Sequence, residues 1–172
     1  MTQKALLVID LQNDYFPEGK FPLWNTESTL DNVKRAITKA NEQNIPVIHI
    51  QHIADPAMGI APFFNEGSDG ANIHPEVLAL APNSEIVVKH FADSFEGTRL
   101  EEVLASKNVT ESLVCGMMTQ NCVTHTAISK SADKYDVSIL MDSCTTVDEM
   151  IHNIALHAVS TRVPLVTIED KL

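Results

Sequence analysis

The sequence predicts a three-layer α/β/α domain with a six-stranded parallel sheet, and two observations carry that reading. Six short runs rich in Leu, Val and Ile look like strands buried on both faces. Four stretches with helical apolar spacing separate them, giving β-α-β order almost throughout and therefore right-handed crossovers with helices on both faces.

The first run, KALLVID (residues 4–10), is nearly all apolar and ends on an acid. In residues 28–44, Leu30, Val33, Ile37 and Ala40 fall on one helical face, with Ser28 or Asp31 available near its start. IPVIHIQHI (45–53) is the second strand. Residues 54–82 break the rhythm: Pro, Gly, Asn and Asp surround a Phe63–Phe64 pair, as expected of a loop over a site. SEIVVKH (84–90) is the third strand, and Thr98-x-x-Glu101 reads as a capping box for a helix facing inward through Leu100, Val103 and Leu104. ESLVCGM (111–117) is the fourth strand, followed by a helix with Val123, Ala127, Ile128 and Ala132 on one side. VSILMD (137–142) precedes a helix capped by Thr145-x-x-Asp148, with Ile151, Ile154, Ala155 and Ala158 as its face, and VPLVTIE (163–169) is the last strand. No repeat and no Gly/Ser- or Pro-rich linker divides the chain, so residues 1–172 are expected to form one domain.

Composition narrows the function. Hydrophobic residues are 44% and charged residues 20% of 172, ordinary for a soluble globule. The net charge of −11, from 12 Lys+Arg and 23 Asp+Glu, and the lack of a basic block argue against a nucleic-acid partner. No apolar run approaches the roughly 20 residues that cross a bilayer, and no leader pattern opens the chain, so a cytoplasmic protein is expected. Cys115, Cys122 and Cys144 fit no disulfide or zinc spacing and are expected as free thiols.

In parallel sheets, ligands gather beyond the carboxyl ends of the strands. Those ends carry Asp10, His49 to His52, Lys89, Gly116 to Cys122, and Asp142. Cys122 opens a helix, where N–H groups and a nearby ammonium such as Lys89 would lower its pKa; otherwise it is a small buried hydrophobe. Asp10 either acts as a base for that thiol or caps a loop. Lys89 either reaches water or meets the other two. Cys115 and Cys144 read as packing residues.

The blocks DLQNDYF (10–16), VVKHFADSFEGTRLEEVL (87–104) and CGMMTQNCVTHTA (115–127) resemble the three signature blocks of the isochorismatase-like cysteine hydrolase superfamily. The resemblance implies a Rossmann-like fold with a catalytic Asp10–Lys89–Cys122 triad. It also implies a cis peptide at Met117–Met118, an oxyanion hole from the backbone N–H groups of Met118 and Cys122, Tyr15 at the pocket, and a homo-oligomer. Trp24 and Phe64 suit apolar pocket walls. The implied reaction is cleavage of a C–N bond of a small amide-type substrate through a thioester. The alternatives are enol-ether hydrolysis, as in true isochorismatases, or a non-catalytic thiol redox sensor in which Cys115 or Cys144 resolves Cys122.

Nicotinamidase-type relatives hold a metal through an Asp-x-His pair, but here Asp55 is followed by Pro56 and Ala57. His49 and His52 face opposite sides of a strand. His74 is expected to cap or pack, and His125 to pack or sit at an interface. No metal and no cofactor is expected, and the partner is a small-molecule substrate.

Overall fold

The structure, a computed structural model, describes residues 2–172. Its centre is a six-stranded sheet with every pairing parallel, in the order β3-β2-β1-β4-β5-β6. The strands are β1 (Lys4–Ile9), β2 (Val47–His52), β3 (Glu85–Lys89), β4 (Glu111–Met117), β5 (Asp136–Thr145) and β6 (Leu165–Val166). The central pair β1 and β4 is buried almost end to end, which is why both read as unbroken apolar runs.

Helices α1 (Thr26–Glu42), α2 (Pro75–Leu80), α3 (Leu100–Ser106), α4 (Thr124–Ala127), α5 (Glu149–Val159) and α6 (Ile168–Lys171) connect or follow the strands. The expected faces of α1 (Leu30, Val33, Ile37, Ala40) and α3 (Leu100, Val103, Leu104) are buried. Order reverses once: β1, β2 and β3 build outward on one side, then the chain returns to place β4 against the free side of β1. That return makes the β1/β4 boundary the topological switch point, where a crevice opens at the carboxyl edge.

Several local expectations give way. Asn25, in left-handed backbone, precedes α1 in place of Ser28 or Asp31. Thr98 forms no capping box with Glu101: its hydroxyl donates to the Ser94 carbonyl, and Arg99 stands at the cap of α3. Residues 54–82 are not wholly irregular, since Pro75 opens α2 and His74 caps it by accepting from the Glu76 N–H. The register of β4 on β5 shifts between Val114 and Gly116, which carries β5 on to Thr145. Thr145 is therefore strand, and Asp148 itself caps α5 by accepting from Ile151 N–H. The buried face of α5 is His152, Ala155 and Val159, while Ile154 is 62% exposed. The final apolar segment is a two-residue strand and then α6, opened by a Thr167/Asp170 capping box. No helix among the described residues is long and apolar enough to cross a membrane.

Candidate active site

Asp10 follows the last residue of β1 in left-handed backbone (φ 54°), a conformation costly to a residue with a Cβ. Its N–H is held by the Ile50 carbonyl, and its own carbonyl accepts from Gln12 N–H. The fully buried Gln12 side chain accepts from His52 N–H and donates to the His52 carbonyl, both at 2.8 Å. It thus imitates a strand neighbour at the end of β2. Lys89 ends β3 in register with His52.

Beyond β4 the chain passes the Met117–Met118 peptide, which is cis, and enters a π-helical turn, Thr119–Val123, that carries Cys122. Asn121 N–H and Val123 N–H both bond the Met118 carbonyl, fixing the turn on either side of the cysteine. Thr119 Oγ1 is 2.7 Å from His152 Nδ1 of α5, so the turn is also tied to the helix layer.

Gly116 makes this approach possible. It has φ +124°, and a Cβ there would lie 2.0 Å from the Ile9 carbonyl oxygen.

Asp10, Lys89 and Cys122 meet. Lys89 Nζ is 3.2 Å from Asp10 Oδ2 and 3.2 Å from Cys122 Sγ. Asp10 and Lys89 are wholly buried and Cys122 is 3% exposed. Nζ also donates to His52 Nδ1 at 2.7 Å and to the Phe91 carbonyl at 3.0 Å. Among the described residues neither Asp10 oxygen has a hydrogen-bond partner, so its contact with Lys89 is an ion pair without hydrogen-bond alignment.

Electrostatics corrects the expectation of a preformed thiolate. Burial, then the Asp10 charge, push the Cys122 thiol up, and the opposing pull of Lys89 does not compensate. The expected activation by a helix N-terminus is weak too, because the cysteine sits in a π turn ahead of an α-helix of only four residues. Burial works against the Lys89 charge, yet Asp10 and Cys122 together hold its pKa above the ordinary lysine value. Burial, then Lys89, bring the His52 imidazole down to about 4. At neutral pH the cluster is therefore a thiol, an ammonium and a neutral imidazole beside Asp10.

Tyr15 and Phe64 lie together beside this cluster, ring centroids 4.6 Å apart and edge to face, with Phe64 5.9 Å from the His52 ring. Phe63 and Phe21 extend the aromatic group. Burial, then Asp10 and Cys122, raise the Tyr15 phenol, which therefore stays protonated. Asp14 ties the wall together: its carboxylate accepts from Lys20 N–H and Phe64 N–H, and a Cβ at Gly70 would strike it at 2.1 Å. Trp24 is placed differently, half-buried against His152 at 5.8 Å, behind the cysteine turn.

A cavity of about 770 Å³ lined by Asn13, Asp14, Ser68, Asp69 and His74 lies on the outer side of Asp14. It does not include the acid, amine or thiol, so volume alone would misplace the site.

Asp10, His52 and Cys122 offer ligand atoms within 4.8 Å of one another. A cation does not fit that set as it stands, because the Lys89 ammonium contacts all three. His49 points away and bonds the Ala81 carbonyl. His125 is exposed and bonds the Asn121 carbonyl in its own turn. Cys115 and Cys144 are buried free thiols that engage the Leu7 and Leu140 carbonyls.

Sequence reasoning missed His52, Asp14 and the Phe91 carbonyl. Only His52 left a signal, as a polar residue at a strand end.

Fold and cluster define a class: parallel α/β proteins that gather an acid, an ammonium and a thiol at the switch point of the sheet. The chain belongs to the isochorismatase family, whose Isochorismatase domain model matches residues 4–170. It is 38% identical over 149 residues to the isochorismatase family protein YddQ of Bacillus subtilis, covering 87% of this chain and 81% of that one. It is 30% identical to Nicotinamidase 3 of Arabidopsis thaliana, over 88% of this chain and 78% of that one. A solved structure from Oleispira antarctica, assigned to the isochorismatase hydrolases, superposes with a TM-score of 0.89 at 31% identity. That alignment covers 98% of this chain and 95% of that one.

Proposed function

We propose that the protein is a cysteine hydrolase that cleaves the C–N bond of a small amide-type substrate through a thioester on Cys122. The observation that carries this reading is the single ammonium, Lys89, 3.2 Å from both a buried carboxylate and a buried sulfur. The naming of one relative as a nicotinamidase agrees with amide chemistry.

In this reading the bare Asp10 carboxylate takes the Cys122 proton as Sγ adds to the substrate carbonyl. Lys89 stays protonated and holds the charge that moves from carboxylate to sulfur. The tetrahedral oxyanion lies against the N–H groups of Met118 and Cys122. Asp10 then gives its proton to the leaving amine, the C–N bond breaks, and a thioester remains. Water attacks the thioester with Asp10 again as base, releasing the acid and restoring the thiol. Tyr15 and Phe64 would form the apolar wall, while the position of Trp24 against His152 suits it to supporting the cysteine turn.

Cys115 and Cys144 both engage carbonyls within the sheet, which weighs against the redox-sensor reading. We also propose self-association, as the family resemblance implies. Met150, 71% exposed, and Ile154 give α5 an apolar outer face, and light-scattering mass tests it.

The functional test is a screen of small amides, carbamoyl compounds and ureas for released ammonia, with mass spectrometry for an acyl group on Cys122. Cys122→Ala should abolish turnover of every substrate found. Undiminished activity in that variant would remove the nucleophile and the proposal with it.

A further inference from the structure

An ammonium has three hydrogens to give and accepts none. Lys89 has four acceptors around it: His52 Nδ1 at 2.7 Å, the Phe91 carbonyl at 3.0 Å, and Cys122 Sγ and Asp10 Oδ2 at 3.2 Å each. The two nearest take two hydrogens. The third meets hydrogen-bond geometry with the sulfur, and the Asp10 oxygens have no hydrogen-bond partner among the described residues. A buried carboxylate without a donor is unusual and costly. Here the consequence is that it stays ready to accept a proton.

We infer that His52 is a positioning residue of the site. By occupying one Lys89 hydrogen, it aims the remaining one at Cys122 and away from Asp10, so the carboxylate oxygens stay free to take the thiol proton. This rests on the proposed role of the three groups and adds the reason the amine serves the sulfur first. No atom is transferred to or from His52. The thiol proton passes from Sγ to Asp10, Lys89 keeps all three of its hydrogens, and the N–H already aimed at sulfur meets the new thiolate.

The imidazole is built into place for this. Gln12 clamps the His52 backbone on both sides, register sets the residue beside Lys89, and the Phe64 ring lies next to it. Because an ammonium only donates, Nδ1 must be bare, and the neutral ring carries its hydrogen on Nε2. The charged or titratable groups facing it are Asp10 just past β1, Lys89 at the end of β3, His90 just past it, and Cys122 from the turn after β4. Burial and the Lys89 charge keep the ring neutral at physiological pH.

The test needs no known substrate. The rate at which iodoacetamide alkylates Cys122 is followed across pH by mass spectrometry in the intact wild type, His52→Leu and His52→Asn. Leucine removes the acceptor, whereas asparagine can place an amide oxygen near the position of Nδ1. The expected result at neutral pH is alkylation roughly 10- to 100-fold slower in His52→Leu, the size of a lost charged hydrogen bond. Most of the rate should return in His52→Asn. An unchanged rate in His52→Leu overturns the inference, and so does an equal loss in both variants, because ring packing would then be the cause.

If the leucine variant does not fold, ¹⁵N-histidine spectra of the wild type decide, with the His52 signals identified by their loss in His52→Asn. A bare Nδ1 and protonated Nε2 at neutral pH support the inference; a protonated Nδ1 ends it. A wild-type Cys122 that resists alkylation at every pH overturns the proposed nucleophile itself. That outcome is distinct from a reactive cysteine indifferent to residue 52.

Discussion

At the scale of single residues, the Asp10–Lys89 pair sets the sharpest expectations. Lys89→Met would leave the Asp10 carboxylate wholly buried without its cation, a loss of about 3–5 kcal/mol in urea unfolding. Adding Asp10→Asn to that variant should recover part of the loss, because the uncompensated charge is what costs stability. Asp10→Asn alone should lower turnover about 10²- to 10⁴-fold, the usual range for removing a general base. Asp10, Lys89 and Cys122 were legible in the sequence because each stands where an apolar strand run stops, and parallel sheets collect such ends. His52 also stands at a strand end, but its three-residue spacing from His49 speaks only to whether the two could share a metal. Its use depends on the β2/β3 register, which places it beside Lys89 and which no spacing along the chain reveals. The state of the thiol is hidden from the sequence for a related reason: burial by distant segments outweighs the local gain from a short helical turn and a single ammonium.

Elements show where local pattern decides structure and where packing overrides it. β1, β4, α1 and α3 follow their sequences because burial on both faces, or on one stripe, leaves no competing register. The inward face of α5 could not be read in this way. Its start is fixed by Asp148, and His152 turns in to meet Thr119, which rotates Ile154 outward. Asp148→Ala should therefore cost about 1 kcal/mol as a lost helix cap, lowering the melting temperature by about 2–4 °C in a chain of this size. A much harsher outcome is expected at Gly116. An alanine Cβ would meet the Ile9 carbonyl at 2.0 Å between the two central strands, so Gly116→Ala should cost more than about 4 kcal/mol or yield no folded protein on expression. The short α2 escaped the sequence reading and β6 was expected longer than its two residues, because elements of six and two residues carry too little periodicity to declare themselves or their ends.

For the molecule as a whole, acid should be the destabilising direction. Burial is the main cause that lowers the imidazole pKa of His49, His52, His74 and His152. In the unfolded chain these rings titrate near 6.5. As pH falls below that value the unfolded state takes up protons first, so stability is complete above about pH 6.5 and declines toward the folded-state values, about 4 for His52. Urea midpoints at pH 7.5, 6 and 5 should fall in that order, and His52→Asn should flatten the decline. An unchanged midpoint would mean that the rings are not held neutral by the fold. The overall architecture was legible because alternating strand and helix patterns admit few topologies, but the reversal after β3 that creates the crevice depends on strand order, which local patterns leave open.

That reversal divides the working parts unevenly along the polypeptide. Asp10, Gln12, His52 and Lys89 all precede α3, whereas Cys122 and the turn that presents it come from the segment threaded back afterwards. Severing the backbone between Ser106 and Glu111 would put the carboxylate, the cation and its imidazole on one piece and the sulfur on the other. Neither half should hydrolyse anything alone. Amide cleavage on mixing them would then serve as a readout of β4 docking against β1, making the proposed chemistry a reporter of how this sheet assembles.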